Sequence, residues 1–291
     1  MSAQASPRET ICVGDIGISY LPDGEAVVSA AALFPAGTTE LWDAHRELFD
    51  ADGKLVLSLG SFLIRTGDRK ILVDLGFGDR TVAFPAADGE FRSGRLLTSL
   101  REEGLAPEDI DTVFYTHMHI DHVGWTAQDD ALTFRNARHL AGEGEVEFWQ
   151  SLGDHPLAAV GPDPNGVLTP LGGRVDTVAD GAVIAPGVSI VATPGHTPGH
   201  CSLVVSSGKD RAMILGDVLH CPAQLTDNEV SLAFEVDAEL GKQTRARIMG
   251  ELEGDTNTVA AQCHLTGSAF GRVMRGRSRR TWTSLRSQGV S

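Results

Sequence analysis

The chain has 291 residues, of which 42% are hydrophobic and 22% charged, a composition typical of a globular protein that can bury a core. Its formal net charge is −15, so its surface repels phosphate backbones and anionic lipid, and neither a nucleic-acid nor a membrane partner is expected. No apolar run approaches the ~20 residues that a membrane-spanning helix needs.

The first quarter of the chain is dominated by strand-like runs. Residues 1–10 are polar and are expected to be loose. Apolar runs occupy 11–21, 54–67 and 69–76, with turn sequences such as LPDG and TGDR between them. This pattern predicts a series of antiparallel strands.

Helices and one buried strand are predicted in the middle of the chain. Residues 93–104 carry leucines at helical spacing and end in glycine, which predicts a helix and its C-terminal stop. A buried strand is predicted at 113–115 and a second helix at 143–152. The stretch 154–173 is rich in proline and glycine and predicts no regular element.

Strands return in the last third of the chain. They are predicted at 187–195, 200–208 and 211–217, followed by a helix at about 237–253 and a last clear strand at 257–264. This order of elements predicts a layered α/β or α+β protein whose sheets are covered by helices.

A basic stretch near the C-terminus stands out from the acidic body. We expect it to be a solvated terminal strand or tail, because charge runs usually are. Its arginines are Arg272, Arg275, Arg277, Arg279, Arg280 and Arg286.

The cysteines and the N-terminus bear on the compartment. Cys12, Cys201, Cys221 and Cys263 form no C-x-x-C pair, and the N-terminus shows no signal-peptide pattern. Reduced thiols in the cytoplasm are therefore expected.

The segment YTHMHIDHVGW, residues 115–125, holds three of the ten histidines directly after a predicted buried strand. Alternate residues of an extended chain share a face, so His117 and His119 can hold one cation. Asp121 and His122 follow where the chain turns, and they could hold a second. Such side chains beside an apolar strand are costly unless they are paired or bind metal, which favours a metal site.

Other metal-competent side chains also follow predicted strands. They are Asp74, His196, Asp217 and His264. Side chains of this kind at one end of a layered sheet are what a catalytic site on a rigid scaffold requires.

THMHIDH resembles the H-x-H-x-D-H signature of the metallo-β-lactamase-fold hydrolases. The segments ILVDLG, ATPGHTPGHCSL, ILGD and AQCH resemble further motifs of that family, in family order, over about residues 58–265. The resemblance implies one domain, residues 1–291, folded as a four-layer αββα sandwich with two metal ions between its sheets.

The resemblance also implies a ligand set. The first metal would be held by His117, His119 and His196. The second would be held by Asp121, His122 and His264, and Asp217 would bridge the two metals. Asp74 would orient the ligands from behind. His200, the second histidine of PGHTPGH, is expected to be structural.

Hydrolysis is the chemistry that such a pair of metals implies. Two cations ~3.5–4 Å apart can share a hydroxide and polarise a carbonyl or phosphoryl oxygen. The bridging hydroxide would attack the substrate, and Asp121 could deliver a proton to the leaving group. Zinc is the expected metal, with manganese, iron or cobalt as alternatives.

Sequence details indicate a branch of the family. Common zinc β-lactamases have cysteine where this chain has Asp217, so a β-lactam substrate is not favoured. Residues 91–124 look most like the methyl parathion hydrolase and N-acyl homoserine lactonase branch. Lactonases of that branch often place tyrosine three residues after the bridging aspartate, where this chain has His220. We expect His220 to act on the substrate with Asp121, the alternative being that it only faces the pocket wall.

Aromatic residues in or near loops are candidates for the pocket wall: Phe34, Trp42, Phe62, Phe84, Trp125 and Phe270. Trp125, Phe270 and Phe34 are the predicted pocket residues among them. An aromatic wall would favour an apolar acyl or aryl group.

The predicted function is a binuclear metal-dependent hydrolase of a small ester or lactone. Hydrolysis of an organophosphate triester or of another ester or amide is the alternative within the fold. A non-catalytic metal-binding regulatory protein is the alternative of a different class, although seven ligands over two metals leave positions open for water. A homodimer with residues 11–50 at its interface is a further expectation.

Overall fold

The computed structural model describes residues 2–255, 257–277 and 279–286. The strands are β1 (Glu9–Val13), β2 (Ile16–Val28), β3 (Leu55–Thr66), β4 (Arg69–Val73), β5 (Thr81–Phe84), β6 (Gly89–Ser93), β7 (Thr112–Tyr115), β8 (Ala127–Gln128), β9 (Ala131–Leu132), β10 (Arg138–Gly142), β11 (Val175–Val178), β12 (Val183–Ala185), β13 (Val188–Ala192), β14 (Cys201–Ser207), β15 (Asp210–Ile214), β16 (Val259–Ala261), β17 (Phe270–Arg275) and β18 (Arg280–Ser284). The helices are α1 (Ala30–Leu33), α2 (Thr39–Asp43), α3 (Leu96–Glu102), α4 (Glu145–Ser151), α5 (Thr169–Leu171), α6 (Ala223–Thr226) and α7 (Ala238–Gly254).

Two large sheets carry most of these strands. The first has the order β11-β10-β7-β4-β3-β2-β6-β5, with β1 paired to β2. The second has the order β12-β13-β14-β15-β16-β17-β18, and β8 with β9 forms a small hairpin. Each large sheet mixes antiparallel pairs with parallel ones, such as β4 with β7 and β15 with β16.

The two sheets pack face to face, because side chains from both enter one apolar core. Phe114 of β7 and Val73 of β4 meet Leu203 of β14 and Ile214 of β15 in this core. Strands that are covered on both faces read as continuous apolar runs, which is why TVFY and KILV show no polar alternation.

Helices cover the outer faces of the sandwich. Val113 and Tyr115, which alternate with Phe114 along β7, pack outward against Leu96 and Leu100 of α3. On the other side, α7 places Ile248 and neighbouring residues against the second sheet. The αββα sandwich expected from the sequence is confirmed.

The topology gathers one set of strand ends at a single edge. The neighbouring parallel strands β4 and β7 lead into Asp74 and into the segment that begins at His117. In the second sheet, the parallel strands β15 and β16 lead toward Asp217 and His264. Since carboxyl ends of parallel strands share an edge, the predicted ligands converge between the sheets.

Three expectations need correction. The N-terminal segment is not loose, because Ser6 is buried, its N–H donates to Ser58 Oγ, and β1 begins at Glu9. The stretch 154–173 contains short helical turns, which proline-initiated turns permit without apolar periodicity. The strand predicted at 257–264 is not the last one, because the basic stretch, expected to be a solvated strand or tail, forms two paired strands, β17 and β18.

Candidate metal centre

Asp217 lies at the centre of the candidate site, buried in the turn that follows β15. Its Oδ2 atom is 3.6 Å from Nε2 of His117 and 3.2 Å from Nε2 of His196. Its Oδ1 atom is 3.5 Å from Nε2 of His122 and 3.1 Å from Nε2 of His264. Nε2 of His264 also lies 3.3 Å from Oδ2, and Nε2 of His220 lies 3.1 Å from it, so imidazoles surround both carboxylate oxygens.

The first group of donors consists of His117, His119, His196 and Asp217. One donor atom from each lies within 4.8 Å of all the others, and all four side chains are buried. Nδ1 of His119 and Nε2 of His196 are only 2.8 Å apart. The spacing H-x-H thus brings His117 and His119 to one place, as the alternation of an extended chain predicts.

The second group consists of His122, Asp217, Cys263 and His264, again within 4.8 Å of one another. Asp121 flanks this group, with one carboxylate oxygen 3.8 Å from Nε2 of His122 and the other 3.8 Å from Nε2 of His264. Cys263 was not predicted at the site, although it directly precedes the predicted ligand His264 in AQCH.

The histidines of the first group are in the protonation state that binds a cation. Burial lowers the pKa of His117 and His119 well below the ordinary value, and it lowers the pKa of His196 to about 3. These imidazoles are therefore neutral, which is the form that binds metal.

The second group carries charge in the metal-free protein. Burial opposes a charge on His122, but Asp217, Asp121 and Asp74 outweigh it and raise the pKa of His122 well above its ordinary value. Burial likewise opposes the charge of Asp217, but His264 and its neighbours hold the pKa of that carboxyl well below the ordinary range. Asp217 is therefore an anion facing positive groups, a place that a divalent cation could take.

Asp74 holds the histidine segment from behind. Its carboxylate accepts hydrogen bonds from the Thr116 N–H and the Thr116 hydroxyl, both at 2.8 Å, and from Nδ1–H of His122 at 2.9 Å. The contact orients the ring of His122 and turns its Nε2 toward Asp217. Asp74 has a φ of 61°, a left-handed conformation that aspartate tolerates better than most residues.

Two further histidines are fixed by hydrogen bonds. Nδ1–H of His264 donates to the Ser58 carbonyl at 2.9 Å, which leaves Nε2 facing Asp217. Nε2 of His200 accepts the Asp217 N–H at 2.8 Å, and its Nδ1–H donates to the Thr193 carbonyl at 3.0 Å. Both nitrogens of His200 are thus engaged in supporting the site.

Glu145, at the start of α4, joins the two loops that carry the first group. One carboxylate oxygen accepts the Met118 N–H and the Trp149 indole N–H, both at 2.8 Å. The other accepts the Thr197 hydroxyl at 2.7 Å and the Gly199 N–H at 3.1 Å. Met118 lies between two of the histidines, so Glu145 ties their loop to the loop of His196.

A cavity with about 550 Å³ of empty volume opens onto the two groups. Its polar lining is His119, Asp121, His196, Asp217, His220 and His264. Its apolar lining is Ala26, Val28, Leu33, Leu57, Leu59, Phe84, Phe91, Ile120, Val160, Leu232 and Phe234. Among the residues that the structure describes, no lysine or arginine lines it.

His220 borders both the cavity and Asp217. Its Nε2 lies 3.1 Å from Asp217 Oδ2, and its ring stacks on His264 with centroids 5.7 Å apart. Its Nδ1 is buried and has no hydrogen-bond partner among the described residues. Phe34 does not line the cavity but packs behind His220, with ring centroids 6.2 Å apart.

The other two predicted pocket residues do not lie on the cavity wall. Trp125 packs under the first sheet, where its indole N–H donates to Asp23 at 2.9 Å. Phe270 belongs to the core between the sheets and packs against Phe62. Both are near predicted ligands in sequence, but Trp125 lies in a turn and enters the outer core, and Phe270 begins β17 and enters the core between the sheets. The cavity wall comes instead from segments that are distant from the ligands in sequence. Of its residues, only Phe84 was among the aromatic candidates named from the sequence.

Atoms without partners show that the site fits a metal. Nε2 of His117, Nε2 of His122 and Oδ1 of Asp217 are buried, and none has a hydrogen-bond partner among the described residues. Such groups are costly when nothing binds them. Neutral imidazoles around a shared carboxylate are a donor set for zinc and similar divalent cations.

Comparisons with known proteins agree with this geometry. Residues 61–250, more than half of the chain, match the model of the metallo-β-lactamase superfamily. A relative from a Bacillus species named N-acyl homoserine lactonase is 27% identical over 226 residues, which cover 74% of this chain and 84% of the relative. A Xenopus laevis relative named metallo-β-lactamase domain-containing protein 1 is 27% identical over 210 residues, 71% of this chain and 70% of that protein.

Solved structures share the fold. The dizinc quorum-quenching lactonase AidC superposes with a TM-score of 0.83 at 24% identity, covering 96% of this chain and 97% of AidC. The hydrolase AbOPH superposes with a TM-score of 0.82 at 23% identity, covering 97% and 98%. The predicted superfamily and the class of metal-dependent hydrolase are confirmed, and the relatives named as lactonases agree with the predicted branch. The chain belongs to the metallo-β-lactamase superfamily.

Proposed function

We propose that this chain is a two-metal hydrolase that opens a small neutral lactone or ester with an apolar acyl group. The observation that carries the proposal is that two donor groups sharing Asp217 open onto one apolar cavity. The superfamily match and the relatives named as lactonases support it.

The donors divide between the two cations as the motifs suggest. His117, His119 and His196 would hold the first cation, Asp121, His122 and His264 the second, and Asp217 would touch both. When bound, divalent cations supply Lewis acidity, which activates water and polarises a carbonyl oxygen. Zinc suits these ligands best.

The protein's own groups would handle protons and orientation. Asp121 lines the cavity, and its two carboxylate oxygens lie 3.8 Å from Nε2 of His122 and of His264, so it is placed to carry a proton to the leaving alkoxide. His220 offers its unpartnered Nδ1 to a substrate oxygen or hydroxyl. Asp74 and the Ser58 carbonyl keep the ligand rings turned toward Asp217 during the reaction.

The cavity wall indicates the substrate class. Apart from the cations, the described lining has no lysine or arginine that could pair with the charges of an anionic phosphate or a charged peptide thioester. Apolar side chains around it would bury an acyl chain and exclude bulk water. A neutral lactone or ester fits this wall, and a neutral phosphotriester is the competing substrate that the assay must include.

A substrate panel tests the proposal. Zinc-loaded protein is offered N-acyl lactones of varied chain length, aryl esters and a neutral phosphotriester, and we expect lactone or ester turnover to dominate. His117→Ala should abolish turnover and lower the zinc content. His220→Phe should keep both zinc ions but lower kcat by about 10²-fold, the usual scale of a lost acid or base. Zinc-loaded protein inactive on the whole panel would favour the non-catalytic alternative.

A further inference from the structure

The second donor group contains a thiol that the family motifs do not include. Cys263 is buried, and its sulfur lies within 4.8 Å of donor atoms of His122, Asp217 and His264. Its position follows from β16, because Ala261 and Cys263 both enter the core between the sheets, directly below the edge where the ligands converge.

The second donor group also contains buried polar atoms that have no hydrogen-bond partner among the described residues. Nε2 of His122 and Oδ1 of Asp217 are buried, lie 3.5 Å apart, and have no hydrogen-bond partner among the described residues. These atoms point to a ligand held between them, and the sulfur of Cys263 lies within 4.8 Å of a donor atom of each of these two residues.

The thiol and the Asp121 carboxylate approach the group from different sides. Asp121 lines the substrate cavity, whereas Cys263 does not. The side chain of Asp121 is 16% exposed, and each of its closest approaches to the two imidazoles is 3.8 Å. A donor on the core side would leave this carboxylate facing the cavity.

We propose that Cys263 binds the second cation as a thiolate, adding one sulfur to the imidazoles and carboxylates already assigned to that cation. The inference rests on the proposed two-metal function. On binding, the sulfur–hydrogen bond breaks, the proton passes to solvent, and the sulfur forms a bond to the cation. The soft sulfur favours zinc over manganese at this position.

X-ray absorption at the zinc edge tests the proposal without reference to activity. Wild-type protein with two zinc ions per chain should show a zinc–sulfur shell at about 2.3 Å, averaging about one sulfur per two zinc ions. Cys263→Ser should lose this shell and bind its second zinc at least roughly tenfold more weakly in a chelator competition. Cys201→Ser, which removes another buried thiol of the same core, should keep both properties.

The outcomes separate this inference from the proposed function. Two bound zinc ions with only nitrogen and oxygen neighbours in the wild type would overturn the thiolate and leave the two-metal hydrolase standing. A sulfur shell that persists in Cys263→Ser would overturn it as well. If Cys263→Ser does not fold, a protein with Cys12, Cys201 and Cys221 all changed to serine decides: the shell must persist there, and its loss would refute the proposal.

Discussion

At the scale of single residues, the metal-competent side chains could be predicted from the sequence, but the residues that hold them in position by hydrogen bonds could not. The spacing in THMHIDH was enough to predict that His117 and His119 share one face, because alternation depends only on local chain geometry, and it left His122 for a second cation nearby. Glu145 could not be predicted, since three of its four hydrogen bonds reach loops that are distant in sequence. Trp125 was wrongly predicted to line the pocket, because its indole N–H donates to Asp23, a residue 102 positions away in the sequence.

Glu145→Gln should weaken the first metal site. Glutamine keeps one acceptor oxygen and turns an amide toward the hydroxyl or N–H donors at the other, so the loops of His119 and His196 lose a shared anchor. We expect the affinity for the first zinc to fall about 10–100-fold, the scale found for groups that orient metal ligands. Stepwise zinc titration against a chelator measures this effect. Glu147→Gln, an exposed change on the same helix, is the matched control.

The pH dependence of stability gives a second measure of the same residue. Burial raises the pKa of Glu145 above its ordinary 4.5. The folded carboxyl thus holds its proton more tightly than the unfolded one, and stability falls as the pH rises through that window. In metal-free protein, the unfolding free energy of the wild type should decline relative to Glu145→Gln from below pH 4.5 toward neutrality. A difference that stays constant or grows would contradict this role.

At the scale of elements, buried runs were predictable and the cavity wall was not. Strands β3, β4, β7, β14 and β15 could be recognised as apolar runs in the sequence because both of their faces are covered. The segment 227–236 has no periodic pattern, yet it supplies Leu232 and Phe234 to the wall. Its position depends on tertiary hydrogen bonds, from the Ala233 N–H to the Leu33 carbonyl and from the Val236 N–H to the His196 carbonyl.

This segment should set the preference for acyl chain length. Phe234 packs on Phe84 with ring centroids 5.5 Å apart, so Phe234→Ala would open the wall. We expect kcat/KM for a long-chain lactone to fall about tenfold, equivalent to ~1.4 kcal/mol of lost apolar contact, while a short-chain lactone changes little. Phe148→Ala, a half-buried phenyl of α4 outside the cavity, is the control. Equal losses on both substrates would show that Phe234 does not contact the acyl chain.

At the scale of the whole molecule, sequence patterns predicted a layered α/β protein, and the family resemblance added the αββα order. Face-to-face packing of two sheets depends on which side of each strand is apolar. Strands that are buried on both faces show no polar alternation, so their sequences do not reveal which side meets the other sheet. Once the sheets pack, their parallel strand pairs bring Asp217 and the histidines to one edge. Among the described residues, no helix is long and apolar enough to cross a membrane.

The central claim is that hydrolysis depends on cations held around Asp217. The most direct measurement is lactone opening by protein stripped with a chelator and then titrated with zinc, followed together with bound zinc. The metal-free protein should be inactive, and activity should rise with added zinc and level off near two ions per chain. Full turnover by the metal-free protein, or a plateau reached with no zinc bound, would contradict the account.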